Sequence, residues 1–299
     1  MRTDNIFGHG AAFIAYAIFG FNIIICKDLT SEGLIPPLGI FTLRSLVAGA
    51  LFWIVSMFQP REQVERKDYI KIFAASMLGF MTCQVTFLVG IPHITPMDCS
   101  ILTAMAPIYT MAVAAIAIKE PITFKKAGGV ALSFAGIIYL IVSRVAAPGG
   151  TAESSPFGIF MIILNSLSFS MYLGIFKPLI AKYSAVTFMK WIFLFSALVA
   201  APLSMKGLIE VEWSAIPTKQ YAELAYLIIC ATFITYFLIP LAQKRIRPTL
   251  VSMYSYVQPI IAIAVSIAIG MDALTWQKAL ATVLVFAGVV IVSRSRSAH

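Results

Sequence analysis

No aspartate, glutamate or histidine falls in the middle of any long apolar run of this 299-residue sequence. That absence argues against intramembrane chemistry, which needs a nucleophile with a base, paired acids or a metal. It also disfavours proton coupling and polycationic cargo, both of which commonly rely on a carboxylate at membrane depth. Asp98, the nearest candidate, sits at the end of its run. His9, His93 and His299 are isolated from one another, so no HExxH-type ligand set exists. Cys26, Cys83, Cys99 and Cys230 show no CxxC or metal spacing and read as small buried hydrophobes. No catalytic residue, metal or cofactor is expected.

Charge itself is scarce. Only 12% of residues are charged and 60% are hydrophobic, whereas soluble domains carry about twice that charge. The class is a polytopic membrane protein. The net charge of +9 would suit nucleic acid, but the bases stand in short clusters between apolar runs, where they orient helices in an anionic-faced bilayer. The expected partners are therefore the lipid bilayer and a small-molecule substrate, with no nucleic acid; the oligomeric state is left open. The first apolar run is longer than a signal-peptide core and reads as an uncleaved first span.

Ten spans can be drawn: 9–27, 36–58, 69–91, 96–118, 124–143, 157–176, 185–205, 220–241, 248–270 and 275–293. Each is close to the length needed to cross roughly 30 Å of hydrocarbon at about 1.5 Å per residue. With the N-terminus inside, 15 lysines and arginines fall in inner segments and 5 in outer ones, with Arg44 and Lys190 left inside spans. This bias places both termini in the cytoplasm.

The stretch from Pro96 to Arg144 returns 152 residues later, from Pro248. Pro107-Ile108 falls on Pro259-Ile260, Lys126-Ala127 on Lys278-Ala279, and Phe134-Ala135-Gly136 on Phe286-Ala287-Gly288 without a gap. The chain is a duplicated unit: residues 1–146 hold the first five spans, 147–156 form an outer linker rich in Pro, Gly and Ser, and 157–299 hold the second five. Five spans per half force the halves into opposite orientations. The fold class expected is all-α, with ten transmembrane helices as two inverted five-helix repeats.

Polar residues at membrane depth are costly and face a cavity or the bundle interior. Phe19 and Asn22 of the first span share a face whose counterpart, at a shift of 150, holds Phe169 and Tyr172. Single serines and threonines are read as inter-helical hydrogen-bonding groups. Amides and phenols need more, and Asn22, Gln84, Tyr172, Tyr236, Tyr256 and Gln258 are the expected walls of a central cavity lined by spans 1, 3, 4, 6, 8 and 9. Pro107 and Pro259, near the centres of their spans, are read as paired hinges in preference to static bends. For Arg44 and Lys190, snorkelling or pairing inside the bundle is expected ahead of substrate binding.

Phe19-Gly20-Phe21-Asn22 in the first span, Arg44 in the second, and Ala106-Pro107 followed by Lys119-Glu120-Pro121, Gly128 and Phe134-Ala135-Gly136-Ile137 resemble the EamA-like ten-helix type of the drug/metabolite transporter superfamily. The resemblance covers nearly the whole chain. Phe19 stands where that family commonly has tryptophan, Asp272 where the second repeat often has glutamate, and Leu280 where Gly128 predicts a glycine. What the resemblance implies is export or exchange of small metabolites, often amino acids, across the inner membrane. A secondary-active, alternating-access carrier of neutral or zwitterionic solutes is the leading expectation. Multidrug efflux is the alternative, followed by an intramembrane enzyme or a channel.

Overall fold

Several apolar runs open on residues suited to starting a helix. Pro37, Pro96 and Pro156 take the first helical position, where a missing N–H costs nothing. Thr95, Ser155 and Ser184 precede their helices in extended backbone, and their hydroxyls accept from the N–H groups of Asp98, Gly158 and Thr187. The computed structural model describes residues 2–106, 108–109, 112–113, 124–145, 154–246, 251, 254–271 and 273–294.

Among the described residues there is no strand, and one helix stands at each expected span. These are α1 (Arg2–Ser31), α2 (Pro37–Met57), α3 (Arg66–His93), α4 (Pro96–Thr103), α5 (Phe124–Val145), α6 (Pro156–Ile175), α7 (Ala185–Ile209), α8 (Thr218–Arg245), α9 (Val257–Ala268) and α10 (Trp276–Arg294). Six of them, α1, α2, α3, α6, α7 and α8, are long and apolar enough to cross a membrane, while α5, α9 and α10 carry shorter apolar stretches. Several helices outrun their expected spans: α1, α3 and α8 each extend past both ends of the apolar run, because polar turns at a bilayer surface lose nothing by staying helical. Pro107, the turn around Glu120 and most of the linker lie outside the described residues.

Helix α1 packs on α8 and α9, and α6 packs on α3 and α4; α2 pairs with α7, and α5 with α10. Small residues permit the closest of these approaches. A Cβ on Gly20 would lie 2.9 Å from the carbonyl oxygen of Gln258, so α1 meets α9 backbone to backbone. Gly136 faces Ala281, Leu284 and Val285, and Gly288 faces Gly129 and Ser133. Each contact is thus the other shifted by the sequence repeat.

Both ends of the bundle are tied by polar side chains. At one end Lys182 donates to Glu65 and, at 2.6 Å, to Asp68, while the Tyr183 hydroxyl donates to Asp68 at 2.7 Å. Glu62 accepts from the N–H of Ser184 at 2.9 Å, capping α7. At the other end Lys219 pairs with Asp28, Gln220 donates to Glu32, and the Lys27 ammonium donates to the Pro92 carbonyl at 2.6 Å. The start of α3 and the finish of α6 meet at the first end, and the finish of α1 and the start of α8 at the second. Helices α1 and α6 therefore run in opposite directions, as inverted halves require.

Helices α3 and α8 each contain one π-helical segment, Met77–Thr82 and Ile229–Ile234, at positions separated by the repeat interval. A π segment inserts a residue, releases carbonyls and rotates the side chains beyond it. Those carbonyls find side-chain donors here: Ser168 donates to Leu78 at 2.7 Å, Thr232 to Leu227 at 2.7 Å and Thr235 to Cys230 at 2.8 Å.

Candidate functional site

Between the α1–α8–α9 group and the α3–α4–α6 group lies a cavity of about 60 Å³. Helix α1 contributes Tyr16, Phe19 and Asn22, α3 Cys83, Gln84 and Phe87, and α4 with the residues after it Thr103 and Ala106. Helix α6 adds Asn165, Ser166 and Phe169, and the α9 segment adds Ser255 and Gln258. Larger depressions exist at the protein surface, one beside Gly33 and Glu212 and one beside Glu62 and Lys190. They are grooves at helix ends, whereas the smaller cavity lies between helices from both halves and carries the polar groups at depth.

Three of the six expected wall residues are there: Asn22, Gln84 and Gln258. The Oδ1 of Asn22 accepts a weak bond from the Cys26 thiol at 3.4 Å, leaving its amide donors unused by the described residues. Gln258 makes no side-chain hydrogen bond to a described residue, and the hydroxyls of Ser166 and Ser255 have no partner among them either. Buried polar groups seldom stay unpaired. Groups in this state on a cavity wall are ready to bind water or a solute.

The three tyrosines stand behind the wall. Tyr236 is buried and accepts from the Gln84 amide at 2.8 Å. Tyr172 stacks among Phe169, Phe176 and Phe188, with its ring against Gly79, where any side chain would collide with it. Tyr256 packs its ring on Phe286. Helix α8 accordingly reaches the cavity indirectly, by way of Gln84. Phe19 and Phe169, paired in the sequence by the shift of 150, meet edge to face across the cavity with centroids 6.5 Å apart.

Pro259 is buried in the first turn of α9, and the chain enters that helix through the 3-10 turn Tyr254–Tyr256. The break falls on the turn whose carbonyls a proline cannot bond. Pro107 lies outside the described residues, yet α4 loosens ahead of it: Ala104 and Met105 form a turn, and the Met105 N–H bonds to the Leu102 carbonyl, three residues back.

Of the two cations in spans, Lys190 snorkels, its ammonium 4.8 Å from the centre of the Trp53 ring. Arg44 does not. It is fully buried, its Nε donates to the Thr232 hydroxyl at 2.7 Å and its Nη1 to the Gln84 Oε1 at 2.7 Å. Gln84 thus accepts from Arg44 with its oxygen and donates to Tyr236 with its nitrogen, a chain that fixes the amide orientation. Sequence reasoning placed Arg44 in the bundle but could not name these partners, which are 40 and 188 residues away. Asn165 is a wall residue outside the expected set, donating to the Cys83 carbonyl at 2.7 Å.

Residues 6–142 and 156–294 each match the profile of the EamA-like transporter family. A Bacillus subtilis protein described as uncharacterized transporter YcxC is 23% identical, over 94% of this chain and 90% of its own length. The uncharacterized inner membrane transporter YicL of Salmonella typhimurium is 21% identical, over 94% of this chain and 93% of its own. An uncharacterized transporter of Archaeoglobus fulgidus is 26% identical across 51% of this chain, which spans about half of that relative (52%). A solved crystal structure shares the fold, with a TM-score of 0.64 at 16% identity over 94% of this chain and 98% of that one.

Proposed function

The chain belongs to the EamA-like transporter family, and on that premise we propose that it is a secondary, alternating-access carrier that exports or exchanges small neutral or zwitterionic metabolites, amino acids among them. The observation that carries this reading is the unspent hydrogen-bonding capacity of Asn22 and Gln258 on the wall of a cavity between the two helix groups. No charged side chain lines that cavity among the described residues. Its volume of about 60 Å³ corresponds to about two waters at roughly 30 Å³ each, which suits a solute of few heavy atoms. Two polar ties at opposite ends of the bundle, each joining one half to the other, are the contacts that opening to one side would exchange for opening to the other. The base asymmetry of the loops supports both termini being cytoplasmic, and the family likeness supports an inner-membrane location.

The test is transport by the full chain in proteoliposomes against a panel of amino acids and small hydroxy acids. Asn22→Leu and Gln258→Met should express and melt like the parent. A polar solute that loses a buried partner loses about 1–3 kcal/mol, so kcat/KM for the transported compound should fall by roughly tenfold. Normal transport by both variants would return these amides to helix packing and move the binding site elsewhere.

A further inference from the structure

Arg44 is fully buried at mid-bundle, and no described carboxylate pairs with it. Its Nη2 has no partner among the described residues. Neutral groups alone, the Thr232 hydroxyl and the Gln84 amide oxygen, receive its other hydrogen bonds. A strut joining α2, α3 and α8 could be built from uncharged donors at far lower desolvation cost. The uncompensated charge is what distinguishes this arrangement, and one of its two acceptors, Gln84, is itself a wall of the cavity. The cavity has no charged residue of its own among the described ones, so the guanidinium behind Gln84 dominates its potential, and a charge acts over a longer range where water is excluded.

We infer that Arg44 is a specificity-determining residue that sets the charge preference of the cavity: through Gln84 it makes the α3 wall electropositive, drawing the carboxylate or comparable oxyanion of a small polar solute to that side and rejecting cations. The inference rests on the carrier reading above and narrows it to solutes with a negative end. Across the cavity, on α9, the free amide of Gln258 and the hydroxyl of Ser255 can accept from an ammonium or hydroxyl at the other end of the same molecule. Arg44 itself is not a wall residue; it acts by its field and by holding the Gln84 amide oxygen turned toward it.

A charge-selective reagent measures this without knowledge of the substrate. Ser255→Cys is placed in the full chain with its four native cysteines replaced, reconstituted in liposomes, and treated with the anionic sulfonatoethyl and the cationic trimethylammonioethyl methanethiosulfonates. The anion-to-cation rate ratio, divided by that of a free thiol, should be raised roughly tenfold or more in this parent. Arg44→Lys, which keeps the charge, should retain the preference. Arg44→Met should bring the ratio to within about twofold of the free thiol, as should Gln84→Glu, which sets a carboxylate against the guanidinium and neutralises it in place. Gln84→Glu carries the test if Arg44→Met fails to fold. A parent ratio equal to the free thiol's, a ratio that both neutralising changes leave intact, or its loss in Arg44→Lys would each overturn the inference and leave Arg44 a strut. A thiol at position 255 that reacts only with the small neutral methyl methanethiosulfonate would overturn the inference as well, and one that none of the three reagents reaches would overturn the carrier reading itself.

Discussion

Gln84 donates a 2.8 Å hydrogen bond to Tyr236, and the two residues are 152 positions apart, the interval at which the first half of the sequence returns in the second. Each residue thus meets its own repeat equivalent. Ser133 does nearly the same, donating to the carbonyl of its equivalent Val285 at 3.1 Å. Contacts between equivalent positions lie on the axis relating two halves, where relative displacement is smallest. They can persist while contacts at the two ends of the bundle form and break.

Because Gln84 is the hub of this chain, removing it should cost more than removing Tyr236's hydroxyl. Gln84→Leu orphans the Arg44 Nη1, at about 1–3 kcal/mol or more for a charged group, and leaves the Tyr236 hydroxyl only its long 3.5 Å bond to the Gly79 carbonyl. Tyr236→Phe deletes only one end. The double variant should be less destabilised than the sum of the singles by about 1 kcal/mol, read as melting midpoints in detergent. Strict additivity would show that the two side chains do not share a network.

The α5–α10 contact gives an asymmetric prediction from a symmetric pair. A Cβ on Gly288 would overlap the Gly129 carbonyl and Ser133, which are backbone and a short side chain that cannot yield. On Gly136 the nearest atoms, the Leu284 Cβ, a Val285 methyl and the Ala281 carbonyl oxygen, stand 3.0–3.1 Å away, a crowding that a few tenths of an ångström relieve. Gly288→Ala should lower stability by about 1–3 kcal/mol, with Gly136→Ala closer to the parent. Equal melting points for the two variants would mean that the helices slide apart freely.

Most of the architecture was legible because it depends on local composition and on an internal repeat. The cavity wall was half legible. Asn22, Gln84 and Gln258 could be placed because an amide at mid-depth has few alternatives to a polar cavity. Tyr236 is expected at the wall because a phenol at mid-depth needs a partner, but the π segment Ile229–Ile234 rotates the residues C-terminal to it and turns the phenol behind Gln84. Nothing in the spacing of apolar residues announces such a segment. Gly79, opposite Tyr172, is the single sequence signal that a ring would be received against α3. The partners of Arg44 come from two other helices, and only the tertiary structure brings them together.

The tie at the Lys182 end sets a pH window. Hydrogen bonds from Lys182 and Lys67 hold Glu65 below the usual carboxylate range, and the bond to Asp68 and then that to Glu65 raise Lys182 above the usual lysine range. Burial pushes Glu62 up, but the Ser184 bonds outweigh it and its net shift is downward. A depressed acid stabilises above its unfolded pKa, about 4.3, and loses that contribution as pH falls through the folded value. A raised lysine contributes fully below about 10.4 and loses it as pH rises through its folded value. The contribution of this tie to the melting midpoint should therefore be constant from about pH 5.5 to 9 and fall on either side. Lys182→Met, which takes the common partner from Glu65 and Asp68, should reduce the acid-side fall. An acid limb identical to the parent's would place the responsible carboxylates elsewhere.

Pro259 offers the most direct test of motion. A proline N lacks the hydrogen that would bond the Ser255 carbonyl, and α9 begins only after the 3-10 turn Tyr254–Tyr256. Ser255, in the interrupted turn, faces the cavity with a hydroxyl that no described residue satisfies. The break therefore does two things: it gives α9 a point at which to bend and it leaves polar groups free at the cavity wall. Pro259→Ala restores the donor, so the helix can close through residues 254–259 and the bend loses its cause. The variant should fold at least as stably as the parent, transport more slowly, and show altered reactivity of a cysteine at position 255 toward reagents added from one side of the membrane. If transport rate and labelling both match the parent, the proline is a static feature of the packing and the moving joint lies at another position, with the paired π segments of α3 and α8 the next to be straightened.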